Sequence, residues 1–207
     1  MYLPLLDRLL YRRPFEGGSA RRYATQERPA FGDLDDRVLD ALFGAASPSG
    51  SLLDLGCGPG KLAERARARY PQLHVIAIDP SRDFANRPGF VRACGEALPL
   101  ADRSIDVAVC LSSLRHVRDR EQTLRELRRV VRERLLIVEL DPAADRTRIA
   151  NHADRLGSGI LRRAFGPLVV RTAPPADTMR AIAERMGWRC NHVHADAIQP
   201  VYLMELA

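Results

Sequence analysis

Leu52-Leu53-Asp54-Leu55-Gly56-Cys57-Gly58-Pro59-Gly60 leads through a helical run into His74-Val75-Ile76-Ala77-Ile78-Asp79. An apolar strand meets three glycines at alternate positions. Without Cβ atoms the backbone there turns tightly and comes close to a ligand. The next helix presents the free N–H groups of its N-terminus to whatever sits on that loop. The second apolar strand ends in a carboxylate, which at that place in a βαβ unit can accept hydrogen bonds from both hydroxyls of a ribose.

The glycine spacing selects among nucleoside ligands. A dinucleotide site wants G-x-G-x-x-G, but the third position of that pattern is Lys61. A phosphate-binding P-loop needs Gly-Lys-Ser/Thr, and Leu62 follows Gly60-Lys61. Asp54 before the loop adds negative charge where a polyphosphate would lie, and suits a ligand with a cationic amino group. The pattern Asp-x-Gly-x-Gly-x-Gly, with an acid after the next strand, resembles the cofactor motif of class I S-adenosylmethionine-dependent methyltransferases. The resemblance continues in Cys94-Gly95-Glu96-Ala97-Leu98-Pro99-Leu100, Ile105-Asp106-Val107-Ala108-Val109-Cys110 and Leu114-Arg115-His116-Val117. Leu124 to Glu139 looks like the family's next helix and strand. The match spans about positions 50 to 140 and is closest to the small-molecule, type 11-like group.

Two positions depart from the family pattern. Cys94 stands where an Asp usually faces the adenine amino group, and a thiol is a poor acceptor. Either Glu96 compensates, or backbone groups of Gly95 and Glu96 read the adenine, or affinity is reduced. After Val131 the family's Pro-Gly-Gly turn is absent, which shortens a loop far from the cofactor.

The resemblance implies a set of contacts. Asp54, Gly56, Gly58 and Gly60, with Cys57 between them, cradle the methionine part of S-adenosylmethionine. Asp79 binds the ribose, followed by Pro80 and Ser81. Cys94, Gly95 and Glu96 border the adenine, and Leu111 and Ser112 lie near the sulfonium. Tyr23, ending a Ser-Ala-Arg-Arg-Tyr segment, is a candidate cofactor contact, with plain packing as the alternative. His116 is the candidate catalytic base, since imidazole titrates near neutrality; a packed helix-start histidine is the alternative. Arg115 stands where an anionic substrate group could be held. Cys190, His192, His194 and Asp196 alternate along one strand, poorly placed to close a tetrahedral shell, so no metal is expected.

At 207 residues and 46% hydrophobic, the chain suits one folded domain. It contains no apolar run long enough to span a bilayer. Its first residues lack the pattern of a signal peptide, so a cytoplasmic location with no membrane partner is expected. The four cysteines read as reduced thiols. Net charge is +6, and Lys61 is the single lysine. Arginine clusters could attract RNA, but interspersed acids and the lack of any stacking platform favour solvated helix faces.

The expected fold is α/β: a Rossmann-like seven-stranded, mostly parallel sheet with an antiparallel last strand and helices on both faces. Strands are expected at 51–55, 74–79, 89–93, 105–110, 134–140, 188–195 and 199–206. Helices are expected at about 61–70, 81–86 and 119–132, with a further one through Met179 and Met186 ending at Gly187. A single domain, 1–207, is divided as an N-terminal helical lid (1–48), a cofactor-binding core (49–140), a lid-like insertion (141–173) and a C-terminal helix and β-hairpin (174–207). Within the first part, Pro14, Gly17, Gly18 and Pro29 mark a mobile linker between two helices. The function expected is methyl transfer to a small molecule. The rivals are an RNA or protein methyltransferase, a cofactor-binding protein without turnover, and a nicotinamide dehydrogenase; oligomeric state is left open.

Overall fold

The runs Leu52–Leu55 and Val75–Ile78 are apolar because both faces of these strands are covered, the usual situation in a parallel sheet. Strand β1 (Gly50–Leu55) pairs in parallel with β2 (Leu73–Asp79), Leu52 opposite Val75, and with β4 (Ile105–Leu111), Leu52 opposite Val107. Strand β3 (Phe90–Arg92) extends the sheet beyond β2, and β5 (Val131–Leu140) extends it beyond β4. Strand β7 (Val201–Leu206) runs antiparallel to both β5 and β6 (Cys190–Ala195). The seven strands lie in the order β3-β2-β1-β4-β5-β7-β6. The computed structural model describes residues 15–25, 31–44, 46, 48–84, 89–155, 159–171 and 173–207. Residues 1–14 of the expected N-terminal helical lid, with Pro14 and Pro29 of its linker, lie outside them.

Strand alternation sends successive side chains to opposite faces. Leu52, Val75, Val107 and Val138 pack in one core with α2 (Leu34–Phe43) and α3 (Lys61–Arg69). Leu53, Ile78, Ala108 and Ile137 pack in the other with α4 (Arg120–Val130) and α7 (Ala176–Arg185). Leu62, Ala66 and Tyr70 are all buried, as their spacing on one helix face predicts. Leu124 and Leu127 are fully buried, so truncating either to Ala costs about 2–5 kcal/mol.

Several boundaries moved for local reasons. Helix α4 stops at Val130 and β5 begins at once at Val131, because no Pro-Gly-Gly turn separates them. The helix expected over 81–86 is a turn at 82–84, and 85–88 lie outside the described residues. Asp119 and Gln122 at the start of α4 have the spacing of a capping box, of which only half forms. The Asp119 side chain accepts from Gln122 N at 2.9 Å, while Asp119 N donates to Glu96 Oε1. The linker expected around Gly17 and Gly18 is instead helix α1 (Gly17–Thr25). Its first N–H donates to Asp83 at 2.7 Å, and Ala20 is completely buried. Gly17 takes φ +61°, a left-handed entry that favours glycine.

Candidate active site

The parallel strands reverse direction of growth between β1 and β4. Outside the carboxyl ends of such strands a crevice opens where ligands bind in open α/β sheets. A cavity of about 730 Å³ lies there. Its wall includes Asp54 and Leu55 from β1, Asp79 from β2 and Leu111 from β4.

All three loop glycines have positive φ: +74° at Gly56, +52° at Gly58 and +80° at Gly60. Each serves a different need. A Cβ on Gly56 would lie 2.3 Å from Ser113 Cβ, and one on Gly60 would lie 2.0 Å from Phe90 Cζ. A Cβ on Gly58 would meet nothing closer than Tyr23 at 3.9 Å. Gly56 and Gly60 therefore permit packing against other elements, and Gly58 keeps ligand space open. Gly60, expected among the cofactor contacts, does not line the cavity; it caps α3 beneath Phe90. The loop itself is fixed by Gly56 N and Cys57 N, which both donate to Ile78 O at 2.8 and 3.1 Å.

The Asp79 carboxylate is oriented by two backbone donors, Gly58 N and Ser81 N, each at 2.8 Å. Burial raises its pKa, opposed by those two hydrogen bonds. The Cys57 thiol is pushed far up by burial first and then by Asp54 and Asp79, so it stays protonated. Asp54 is 2% exposed and carries its carboxylate into the cavity wall.

On the far wall, Cys94 is exposed and Gly95 is buried against Thr123. Glu96 does not replace the missing acceptor through the oxygen that holds the next loop. Its Oε1 accepts from Arg118 N at 3.0 Å and Asp119 N at 3.3 Å. Past β4, Ser112 is held at φ +52°, a strained conformation for serine, by its N–H donating to Val138 O at 2.7 Å. The Ser112 hydroxyl is buried in the cavity wall with no hydrogen-bond partner among the described residues.

His116 sits on a 3₁₀ turn (Leu114–His116) and also lines the cavity. Its Nε2 accepts from Arg115 Nε at 2.9 Å. Arg115 in turn meets Glu139, which is fully buried, at 3.5 Å. Burial, then the positive charges of Arg115 and Arg120, lower the imidazole pKa to about 3. A ring whose lone pair is engaged and whose conjugate acid is that strong is a poor proton acceptor. In this arrangement His116 is a packed, neutral imidazole whose Nε2 is engaged by Arg115.

The chain upstream of the core supplies, besides the expected Tyr23, wall residues that no motif announced. The Phe15 ring lies edge-on to Tyr23 at 5.6 Å and to His116 at 5.1 Å. Phe15 O accepts from Ser81 Oγ at 2.6 Å. Phe15, Glu16, Tyr23 and Phe31 all line the cavity. Arg118 and Asp119 add a polar rim, also unforeseen. By contrast, no described residue of the insertion, 141–173, reaches this wall. Ala144, Ile149, Ala153, Phe165 and Val170 are buried in the core that contains α2. One link from the insertion to the cavity is Phe31, whose ring meets His152 edge-on at 5.2 Å. Asp196 is likewise committed elsewhere: it accepts from Ile198 N and Gln199 N and pairs with Arg37. Among the described residues no group of three His, Cys, Asp or Glu is placed to hold a metal.

Residues 53–138 match the family model described as "Methyltransferase domain". A ubiquinone/menaquinone biosynthesis C-methyltransferase of Methylobacterium nodulans is 31% identical over 200 residues, covering 82% of this chain and 79% of the relative. A 37.1 kDa protein of a Streptomyces fradiae transposon is 43% identical over 117 residues, 50% of this chain and 33% of its own length. The chain thus spans only a third of that relative. In fold it is similar to an S-adenosyl-L-methionine-dependent methyltransferase structure from Methanococcus maripaludis, with TM-score 0.68, 16% identity and 93% of each chain covered. The chain belongs to the S-adenosylmethionine-dependent methyltransferases, a family whose cofactor is S-adenosylmethionine.

Proposed function

We propose that this chain transfers the methyl group of S-adenosylmethionine to a small-molecule acceptor. The observation that carries this reading is one continuous cavity. It runs from the acid pair Asp54 and Asp79, past the Gly58 opening, to Ser112, Phe31 and Arg115. A protein that only bound the cofactor would need no room beyond the Leu111–Ser112 end. The named methyltransferases among the relatives support the same reading: one is a thiol S-methyltransferase, another acts on malonyl-[acyl-carrier protein].

The residues present fit the cofactor. Asp54 offers a carboxylate to its amino group, and Gly58 leaves the backbone bare beside the methionine part. Asp79, pre-oriented by Gly58 N and Ser81 N, offers its remaining lone pairs to the ribose hydroxyls. Pro80 borders the adenine, with Cys94, Gly95 and Glu96 opposite, where backbone groups replace the missing side-chain acceptor. Leu111 and Ser112 flank the sulfonium, and the orphaned Ser112 hydroxyl offers a polar contact there. Tyr23 and Phe15 cover the site from the N-terminal side.

When bound, S-adenosylmethionine supplies an electrophilic methyl group that is displaced in line, so the protein contributes alignment and a dry pocket more than proton transfer. Phe15, Phe31 and Leu111 exclude water from the acceptor end. Arg115, anchored by Glu139, holds that end rigid and fixes the His116 ring.

The test is turnover of deuteromethyl S-adenosylmethionine with a mixed set of quinol, phenol, thiol and carboxylic acid acceptors, read by mass. A product heavier by one labelled methyl in the small-molecule fraction supports the reading. Label found only in added RNA or protein overturns it.

A further inference from the structure

A second concavity lies on the insertion, away from the cofactor site. It has a volume of about 360 Å³ and an apolar floor that includes Ile149, Ala153 and Pro167. Arg146, Arg162, Arg163 and Arg171 surround that floor. It is formed by α5 (Arg146–Asp154), α6 (Gly159–Ala164) and the π-helical turn Phe165–Val170. Residues 141–171 hold six arginines against three aspartates.

Elsewhere the surface arginines are widely neutralised: Arg69 by Asp40, Arg129 by Glu126 and Asp102, Arg132 by Asp106, Arg185 by Glu121. At the groove, Arg162 meets Asp154 at 3.2 Å and Arg171 bonds the carbonyl of Pro142. Arg146 and Arg163 make no hydrogen bond or ion pair among the described residues. Leu168, 55% exposed, follows the exposed Pro167 of the groove lining in the chain. An exposed Pro167-Leu168 pair in a turn flanked in the chain by Arg162-Arg163 and Arg171 is an arrangement suited to a lipid headgroup layer. Its apolar side chains sink below the phosphates, and the guanidiniums stay level with them.

We infer that this face docks peripherally on a membrane bearing anionic lipids. The chain has no described helix long and apolar enough to cross a bilayer, so the contact is one of surface binding. Charge complementarity selects anionic headgroups, and the apolar turn favours a bilayer over RNA, which would need stacking platforms that the groove lacks. The contact is independent of the cofactor site. Among the described residues the rings of Phe31, His152 and Phe165 run from one toward the other, with His152 stacked on Phe165 at 4.6 Å.

The experiment is flotation of the full chain with vesicles of phosphatidylcholine alone and of phosphatidylcholine with phosphatidylglycerol in equal parts. Binding is expected only to the anionic vesicles, and it should weaken in high salt. Each arginine near such a surface strengthens binding roughly fivefold, so reversing two with R162E/R163E should weaken it by well over tenfold. L168D should also lower binding while leaving the charge array intact. Melting curves and S-adenosylhomocysteine binding, unchanged in both variants, show that the fold survives. No binding to anionic vesicles, equal binding to neutral ones, or binding untouched by both variants overturns the inference. So does retention of single-stranded RNA by the same arginines without vesicle binding.

Discussion

Asp79 holds its place through two backbone donors, and that geometry sets what its loss should do. Removing it as Asp79→Ala deletes charged hydrogen bonds to the ribose, so S-adenosylhomocysteine affinity should fall by about 1.5–3 kcal/mol in calorimetry. Burial raises the Asp79 pKa above 3.8, so affinity should decline on acidification earlier than an ordinary carboxylate would require. Asp79→Asn should flatten that decline. His116 makes the opposite kind of statement. With its pKa lowered to about 3, it should leave the rate profile without an inflection near the ordinary histidine value of 6.5. An inflection there, abolished by His116→Gln, would restore the general base. The same shift has a stability consequence. The folded pKa lies below 6.5, so the unfolded chain takes up the proton first. The contribution is complete above pH 6.5 and is lost as pH falls toward 3, and His116→Gln should flatten that stretch of the melting-temperature curve. His152, also lowered by burial, acts in the same direction.

At the scale of elements, the glycine loop divides into packing and ligand positions. Gly60→Ala sets a Cβ against the Phe90 ring in a left-handed conformation, so it should destabilise by about 2–4 kcal/mol, read by denaturant unfolding. Gly58→Ala should cost only the left-handed strain of about 1–2 kcal/mol in stability, yet lower cofactor affinity by crowding the cavity. Equal effects of the two substitutions on stability would contradict this division. The residues leading into helix α1 give a second case. Phe15→Ala removes ring contacts to Tyr23 and His116, and should weaken S-adenosylhomocysteine binding several-fold with little change in the melting temperature of the sheet core.

Across the molecule, what the sequence disclosed was local and what it concealed was not. The strand–glycine–helix–acid unit is written in consecutive residues, so β1, α3, β2 and the placement of Asp79 were readable. The alternation after it disclosed the parallel sheet, and the two terminal runs disclosed the antiparallel pair. Phe15 gave no signal, because its place in the wall depends on Ser81 and His116, sixty-six and a hundred and one positions away. The insertion read as a lid because it follows β5, but its apolar residues face the core shared with α2. The chemistry of His116 was also hidden, since its neighbour Arg115 is turned onto it by Glu139, a residue buried on another strand. Motif reading located the imidazole at the sheet edge but could not show the charge around it.

The central claim is a cofactor site built on Asp54, Gly58 and Asp79, and calorimetric titration of the purified chain tests it most directly. S-adenosylmethionine and S-adenosylhomocysteine should bind with micromolar affinity at one site per chain, and NAD should not bind. Binding of NAD in their place, or no binding of either S-adenosyl compound by a folded chain, would contradict the account.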